Sequence, residues 1–112
     1  MRTAIVLSGC GVFDGSEIHE AVACMLAVAR RGGECAFFAP DVELETIDHL
    51  TKQPDGTRRS VLAEAARLAR GEIQPLAEYR AEDHDGLLFP GGFGAAKNLC
   101  TFATEGAAMR VL

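Results

Sequence analysis

Apolar residues in this chain fall into two kinds of run. Thr3 to Leu7 (Thr-Ala-Ile-Val-Leu), Cys35 to Ala39 (Cys-Ala-Phe-Phe-Ala) and Gly86 to Phe89 (Gly-Leu-Leu-Phe) are short and lack polar alternation. That is the pattern of strands buried on both faces of a parallel sheet. Between the first two, Ile18, Val22, Met25, Leu26 and Ala29 recur at helical spacing, predicting a helix from about Ser16 to Arg31 with this stripe turned to the sheet. Asp14 with Glu17 three residues later is a capping-box variant, Ser16 is the alternative cap, and Arg30, Arg31 and Gly32 supply a cationic last turn and a stop. Strand, helix and strand within the first forty residues make a βαβ unit with a right-handed crossover. A second helix is predicted over Ser60 to Gly71, with Ser60 as cap, Glu64 in its first turn, Arg70 in its last and Gly71 as stop.

Elsewhere the pattern weakens. Residues 41–59 read as an excursion, with an edge strand at Thr46 to Thr51 and a turn cluster at Gln53-Pro54-Asp55-Gly56. Ile73 to Glu78 has no assignable pattern, and Arg80 to Asp85 is a charged surface approach to the third strand. Pro90 ends that strand because it cannot donate to a ladder. A short helical piece over Ala95 to Leu99 and a last helix from about Glu105 complete the prediction.

At 112 residues the chain is expected to form one small α/β domain or part of one, residues 1–112, close to the size at which an open sheet is cramped. A net charge of −5 and a pI near 5.1 argue against a nucleic-acid or anionic-membrane surface. With no secretory h-region and no apolar run of about 18 residues, the expectation is a cytoplasmic protein without a membrane span. Cys10, Cys24, Cys35 and Cys100 show no C-x-x-C pairing and read as free thiols; His19, His49 and His84 lack ligand spacing and read as solvated surface. No metal is expected.

The candidate chemistry sits at strand ends. Ser8-Gly9-Cys10-Gly11-Val12-Phe13-Asp14-Gly15 follows the first strand, and Pro90-Gly91-Gly92-Phe93-Gly94 follows the third. Ligands of open parallel sheets bind outside the carboxyl ends of strands, so the two loops would line one pocket if their strands are neighbours. Gly91 and Gly92 can aim main-chain N–H groups into such a pocket as oxyanion or anion donors. Glu17 and Glu20 lie in the first turns of the helix that starts at the same rim, either as dipole-favoured surface residues or as proton carriers. Glu20 shares a face with the small residues Cys24 and Ala27, which predicts partial desolvation and a raised pKa. Cys10, between two glycines near a helix start, is the thiol placed to have a lowered pKa. Gly9-x-Gly11 before a helix, with Asp41 ending the next strand, also allows half of a dinucleotide-binding domain, although the third glycine, Gly15, falls one residue late.

The blocks Val6 to Ala21, Phe38-Ala39-Pro40-Asp41, Ala65-Ala66-Arg67 with Arg70-Gly71, and Phe89 to Leu99 resemble the PfpI-like branch of the class I glutamine-amidotransferase-like superfamily, nearest to its glyoxalase-like, enhancing-lycopene-biosynthesis (ElbB-type) group. The resemblance covers the amino-terminal part of that domain. It implies a flavodoxin-like three-layer α/β sandwich and a glutathione-independent conversion of small 2-oxoaldehydes (glyoxal, methylglyoxal) to hydroxy acids, without a cofactor. It also implies a cysteine nucleophile, a catalytic glutamate matched best by Glu20 and next by Glu17, and oxyanion N–H groups from Gly91 or Gly92. Gly9, Cys10, Gly11, Phe93 and Asn98 would line the pocket. A small aldehyde and a second copy of the chain, as in a homo-oligomer such as a dimer, are the implied partners. The nucleophile of the group lies beyond the last matched residue and none of the four cysteines matches it, so residues 1–112 alone are expected to lack the chemistry and to expose a strand edge. The alternative is a non-catalytic remnant used for interaction.

Overall fold

The computed structural model describes residues 1–112. Four parallel strands form the central sheet in the order β5-β2-β1-β6, with β1 at Arg2–Val6, β2 at Glu34–Ala39, β5 at Ile73–Pro75 and β6 at Gly86–Leu88. β1 is the spine, pairing Thr3 with Cys35 on one side and with Gly86 on the other. Its β-branched Thr3, Ile5 and Val6, with no polar alternation, suit a central strand, and Ala4, Ile5 and Leu7 are fully buried. Chain growth goes outward from β1 to β2 and β5, then returns to place β6 on the opposite side of β1. The sheet therefore reverses its direction of growth between β1 and β6.

The helices α1 (Ile18–Arg30) and α2 (Val61–Ala69) share one face of the sheet, where Ala21, Val61 and Ala65 close over Ile5, Leu7, Ala39 and Leu44. The opposite face, with Ala4, Val6 and Phe38, is covered by Leu76, Tyr79 and Leu99 from irregular backbone. The mainly parallel α/β fold follows the expectation, with that third layer built here without a long helix. No helix is long and apolar enough to cross a membrane.

Several local expectations are corrected. Residues 41–59 hold an antiparallel hairpin, β3 (Glu43–Asp48) and β4 (Gln53–Ser60), and the Pro54-Asp55-Gly56 cluster is an irregularity inside β4 rather than its turn. There Asp55 Oδ1 accepts from the Thr57 N–H at 2.8 Å and Gly56 takes φ +83°. β4 went unseen because every residue from Gln53 to Arg59 is exposed and none is a large hydrophobic, so nothing alternates. The stripe assigned to the core of α1 is also displaced. Ala21 and Val28 are buried with Cys24 and Met25 partly so, whereas Ile18, Val22 and Leu26 are 41%, 49% and 48% exposed. β6 pairs only with β1, and its Leu87, with Phe89 just after it, is about half exposed rather than buried on both faces. His84 is not solvated surface: its ring stacks on Tyr79 at 5.2 Å and meets Phe38 edge-on at 5.4 Å. After α3 (Phe93–Lys97), the last α-helical turn, α4 (Phe102–Glu105), ends where a helix was expected to begin.

Candidate functional site

The loops after β1 and β6 meet where the sheet reverses, the place in an open α/β sheet where two neighbouring loops part and leave a crevice. Their contact is backbone against backbone. The Glu17 N–H donates to the Gly91 carbonyl at 2.8 Å, the Gly94 N–H to Gly15 at 2.9 Å, and the Phe93 N–H to Val12 at 2.8 Å. A Cβ at Gly94 would sit 2.5 Å from Gly15 Cα, and one at Gly92, where φ is +112°, would collide with the Gly15 carbonyl oxygen. Only glycine permits this approach.

Asn98, at the end of α3, clasps both ends of the loop after β1. It is buried, and its Nδ2 donates to the Ser8 carbonyl at 2.8 Å and to the Asp14 carbonyl at 2.9 Å. It braces the crevice rather than lining its reactive side. Gly9 and Gly11 are also structural: a Cβ at Gly9 would meet Leu44, and one at Gly11 would meet the His49 ring at 2.8 Å. The β3–β4 hairpin thus packs against the glycine loop at Gly9 and Gly11.

At the rim, Glu17 is the N-cap of α1. Its Oε2 accepts from the Glu20 N–H at 2.8 Å, and its Oε1 accepts from the His19 N–H and faces His19 Nδ1 at 3.0 Å. The Glu20 N–H first, then His19, hold the Glu17 carboxyl below the usual carboxylate range. The expected caps are otherwise engaged. Asp14 Oδ2 accepts from Ile47 N–H at 2.9 Å, and Ser16 Oγ accepts from Ser8 N–H at 2.9 Å, because both residues are buried beside backbone donors that need partners.

Glu20 is exposed, as is Ala27, so the carboxylate is not desolvated against a small-residue stripe as expected. It turns instead toward the Pro-Gly-Gly turn, where a Cβ on Gly91 would lie 2.6 Å from Glu20 Oε2. The N–H groups of Gly91 and Gly92 donate to no protein acceptor. One carboxylate and two free main-chain donors therefore share one rim of the crevice. Cys10 is not among them. Burial, then the Glu64 carboxylate, pushes its thiol up rather than down, which reverses the expectation for it. Cys24 and Cys35 pack against the core, Cys100 Sγ donates to the Ala95 carbonyl at 3.5 Å, and no thiol hydrogen-bonds to Glu20.

Phe93, expected in the pocket, lines a hollow with Val12 and Gly92 and a second cleft beyond it with Phe13, Ile47, Lys52 and Lys97. Sequence reading passed over Lys52 and Lys97, which come from separate elements and gain meaning only when the hairpin folds over the glycine loop. It also assigned His49 to solvent. Although exposed, His49 Nδ1 donates to the Ile47 carbonyl at 2.9 Å and its Nε2 accepts from Phe13 N–H at 3.2 Å. These two bonds fix the tautomer.

Known proteins bear on this arrangement. The crystal structure of an isoprenoid biosynthesis protein with amidotransferase-like domain from Ehrlichia chaffeensis superposes on all of this chain with a TM-score of 0.93 at 38% identity, using 53% of its own length. Human glutamine amidotransferase-like class 1 domain-containing protein 3, mitochondrial, is 55% identical over 112 residues, 98% of this chain and 42% of the human protein. Over nearly its whole length the chain is thus similar to part of a class I glutamine amidotransferase-like protein. Rat ES1 protein homolog, mitochondrial, is 54% identical with the same coverage, and zebrafish ES1 protein, mitochondrial, is 37% identical over 109 residues, 92% of this chain and 40% of its own length. No protein-family model matches the chain. The chain thus spans about two fifths of the length of these curated relatives and about half that of the solved structure. The relatives are named as mitochondrial, which overturns the cytoplasmic expectation. Free thiols and an ordinary composition do not separate two reducing compartments, so the residues carried no signal for that choice.

Proposed function

We propose that these residues supply the proton-carrying glutamate and the oxyanion donors of a class I glutamine amidotransferase-like enzyme that converts small 2-oxoaldehydes, such as glyoxal and methylglyoxal, to hydroxy acids. The observation that supports this reading is the Glu20 carboxylate against Gly91, with the Gly91 and Gly92 N–H groups unpartnered. A thiolate adds to the aldehyde carbon, forming a C–S bond and an oxyanion that the two N–H groups meet. Glu20 takes the proton from that carbon and returns it to the neighbouring one, leaving a thioester. Water then cleaves the C–S bond, so that the sum is the oxoaldehyde plus one water giving the hydroxy acid. Glu17, committed to capping α1, is the weaker candidate for this role. The nucleophile comes from polypeptide outside these residues, since no thiol here hydrogen-bonds to Glu20 and burial pushes the Cys10 thiol up. The isoprenoid metabolism for which the Ehrlichia protein is named is the setting we assign to this chemistry.

The test begins with the intact mass of the native protein and continues with methylglyoxal turnover at that natural length. Glu20→Gln keeps the shape and removes the proton carrier, so turnover should fall about 100-fold or more with the unfolding midpoint unchanged, and a thiol-blocking reagent should abolish it. Native-rate turnover by Glu20→Gln would discard this assignment. The half-exposed apolar flank of α1 and β6 supports association with further polypeptide, a second copy or the rest of a longer chain, which mass and sedimentation distinguish.

A further inference from the structure

The chain contains two lysines, Lys52 and Lys97, and both line the same cleft of about 210 Å³, with Phe13, Ile47 and Phe93. They arrive by different routes, Lys52 from the hairpin turn before β4 and Lys97 from the last residue of α3. Neither forms an ion pair; every carboxylate pair in the molecule uses an arginine or His19. Lys97 Nζ donates one bond, to the Phe13 carbonyl at 3.2 Å, leaving its other hydrogens free. The aromatic floor is ordered, with Phe13 and Phe93 stacked at 6.2 Å and 24°, and each lysine Nζ is 5.8 Å from a ring centroid, Lys52 from Phe13 and Lys97 from Phe93.

Lys52 also has φ +63°, the left-handed region that glycine or asparagine would occupy without the strain a lysine bears. Strain held at a residue whose side chain reaches a cleft points to a use for that side chain. In a chain of net charge −5, two unpaired ammonium groups over an apolar floor form a local reversal of sign.

From this geometry we propose that the cleft binds a small organic anion, its apolar body against the Phe13 and Phe93 rings and its carboxylate or phosphate held by Lys52 and Lys97. Two ammonium groups supply the charge-assisted hydrogen bonds, and the rings supply the apolar contact that inorganic ions cannot use. This site stands apart from the oxoaldehyde reading and is read by binding, not turnover.

The experiment is calorimetric titration of the native protein with phenyl phosphate, benzoate, inorganic phosphate and the neutral benzyl alcohol. At least one aromatic anion should saturate, and should bind tenfold or more tightly than both inorganic phosphate and benzyl alcohol; whichever anion binds better identifies the headgroup. K52M and K97M should each weaken it about tenfold, the double variant should abolish it, and R30M, which removes a distant charge from α1, should leave it unchanged. K52G relieves the left-handed strain, so it should weaken binding about tenfold, as K52M does, while keeping or raising the unfolding midpoint, which a folding defect cannot do. Failure of both aromatic anions to saturate, unchanged affinity in the double variant, or equal binding of inorganic and phenyl phosphate would overturn the proposal.

Discussion

Two regions of the molecule are built on opposite principles. At the switch point between β1 and β6, backbone packs on backbone, Asn98 and Asp14 satisfy main-chain partners far off in the chain, and Glu17 caps the first turn of α1. Along the flank of α1 and β6, Ile18, Val22, Leu26, Leu87 and Phe89 stand 41% to 57% exposed, and one strand edge has no partner. The crevice is therefore specified within these residues, while the cover of the flank is not. Geometry for chemistry and completion of the sheet are separable properties here.

The sharpest way to break the first region is Gly92→Ala. The new Cβ collides with Gly15 in a backbone conformation that alanine resists, and the loss should be about 3 kcal/mol or more by urea denaturation. Gly56→Ala, at φ +83° with open space around it, should cost only about 1 kcal/mol, isolating backbone strain from collision. Asn98→Ala leaves two buried carbonyls without their donor and should cost about 2–3 kcal/mol, accompanied by faster amide exchange in the loop after β1.

Glu17 tests the region by pH. Its folded pKa is depressed, so its contribution is complete above the unfolded value, about pH 4.3, and is lost as pH falls through the folded value. Glu17→Gln should thus lower the thermal midpoint at neutral pH, with the gap from the native protein closing below about pH 4. A gap that persists into acid would mean that shape, not charge, does the capping. On the flank, Val22→Lys should change stability by no more than about 0.5 kcal/mol while reducing self-association in sedimentation velocity.

The sequence made the switch-point region legible and the flank illegible for physical reasons. β1 and β2 announce themselves through short runs without polar alternation, and α2 through a Ser60 cap and Gly71 as a stop. That the two glycine loops share a rim followed from placing them at neighbouring strand ends, whereas the pairing of Glu20 with the Pro-Gly-Gly turn came from the resemblance and not from spacing, which turned Glu20 toward Cys24 and Ala27. Apolar spacing in α1 misled because close packing on the sheet selects the small residues Ala21 and Cys24, leaving the larger Ile18 and Leu26 outside. β6 could be located but not called an edge, since a run of three apolar residues carries no information about who pairs with it. β5, three residues ending in Pro75, and the polar β4 offered no periodicity at all. Lys52 and Lys97, 45 positions apart in sequence, share a cleft only through tertiary folding.

The Asn98 clasp also sets a timetable. It joins residues 90 positions apart, a closure whose entropic cost is about 4 kcal/mol from chain length alone. During synthesis, at roughly 5–20 residues per second, β1 and its glycine loop emerge several seconds before the Pro-Gly-Gly turn that completes the crevice. Until then the loop is an open strap with its carbonyls in water, and Glu20 has no Gly91 to face. A ribosome that stalls before residue 98 thus releases a product without this arrangement, so reactive geometry and anion cleft alike are withheld until both ends of the fold have met.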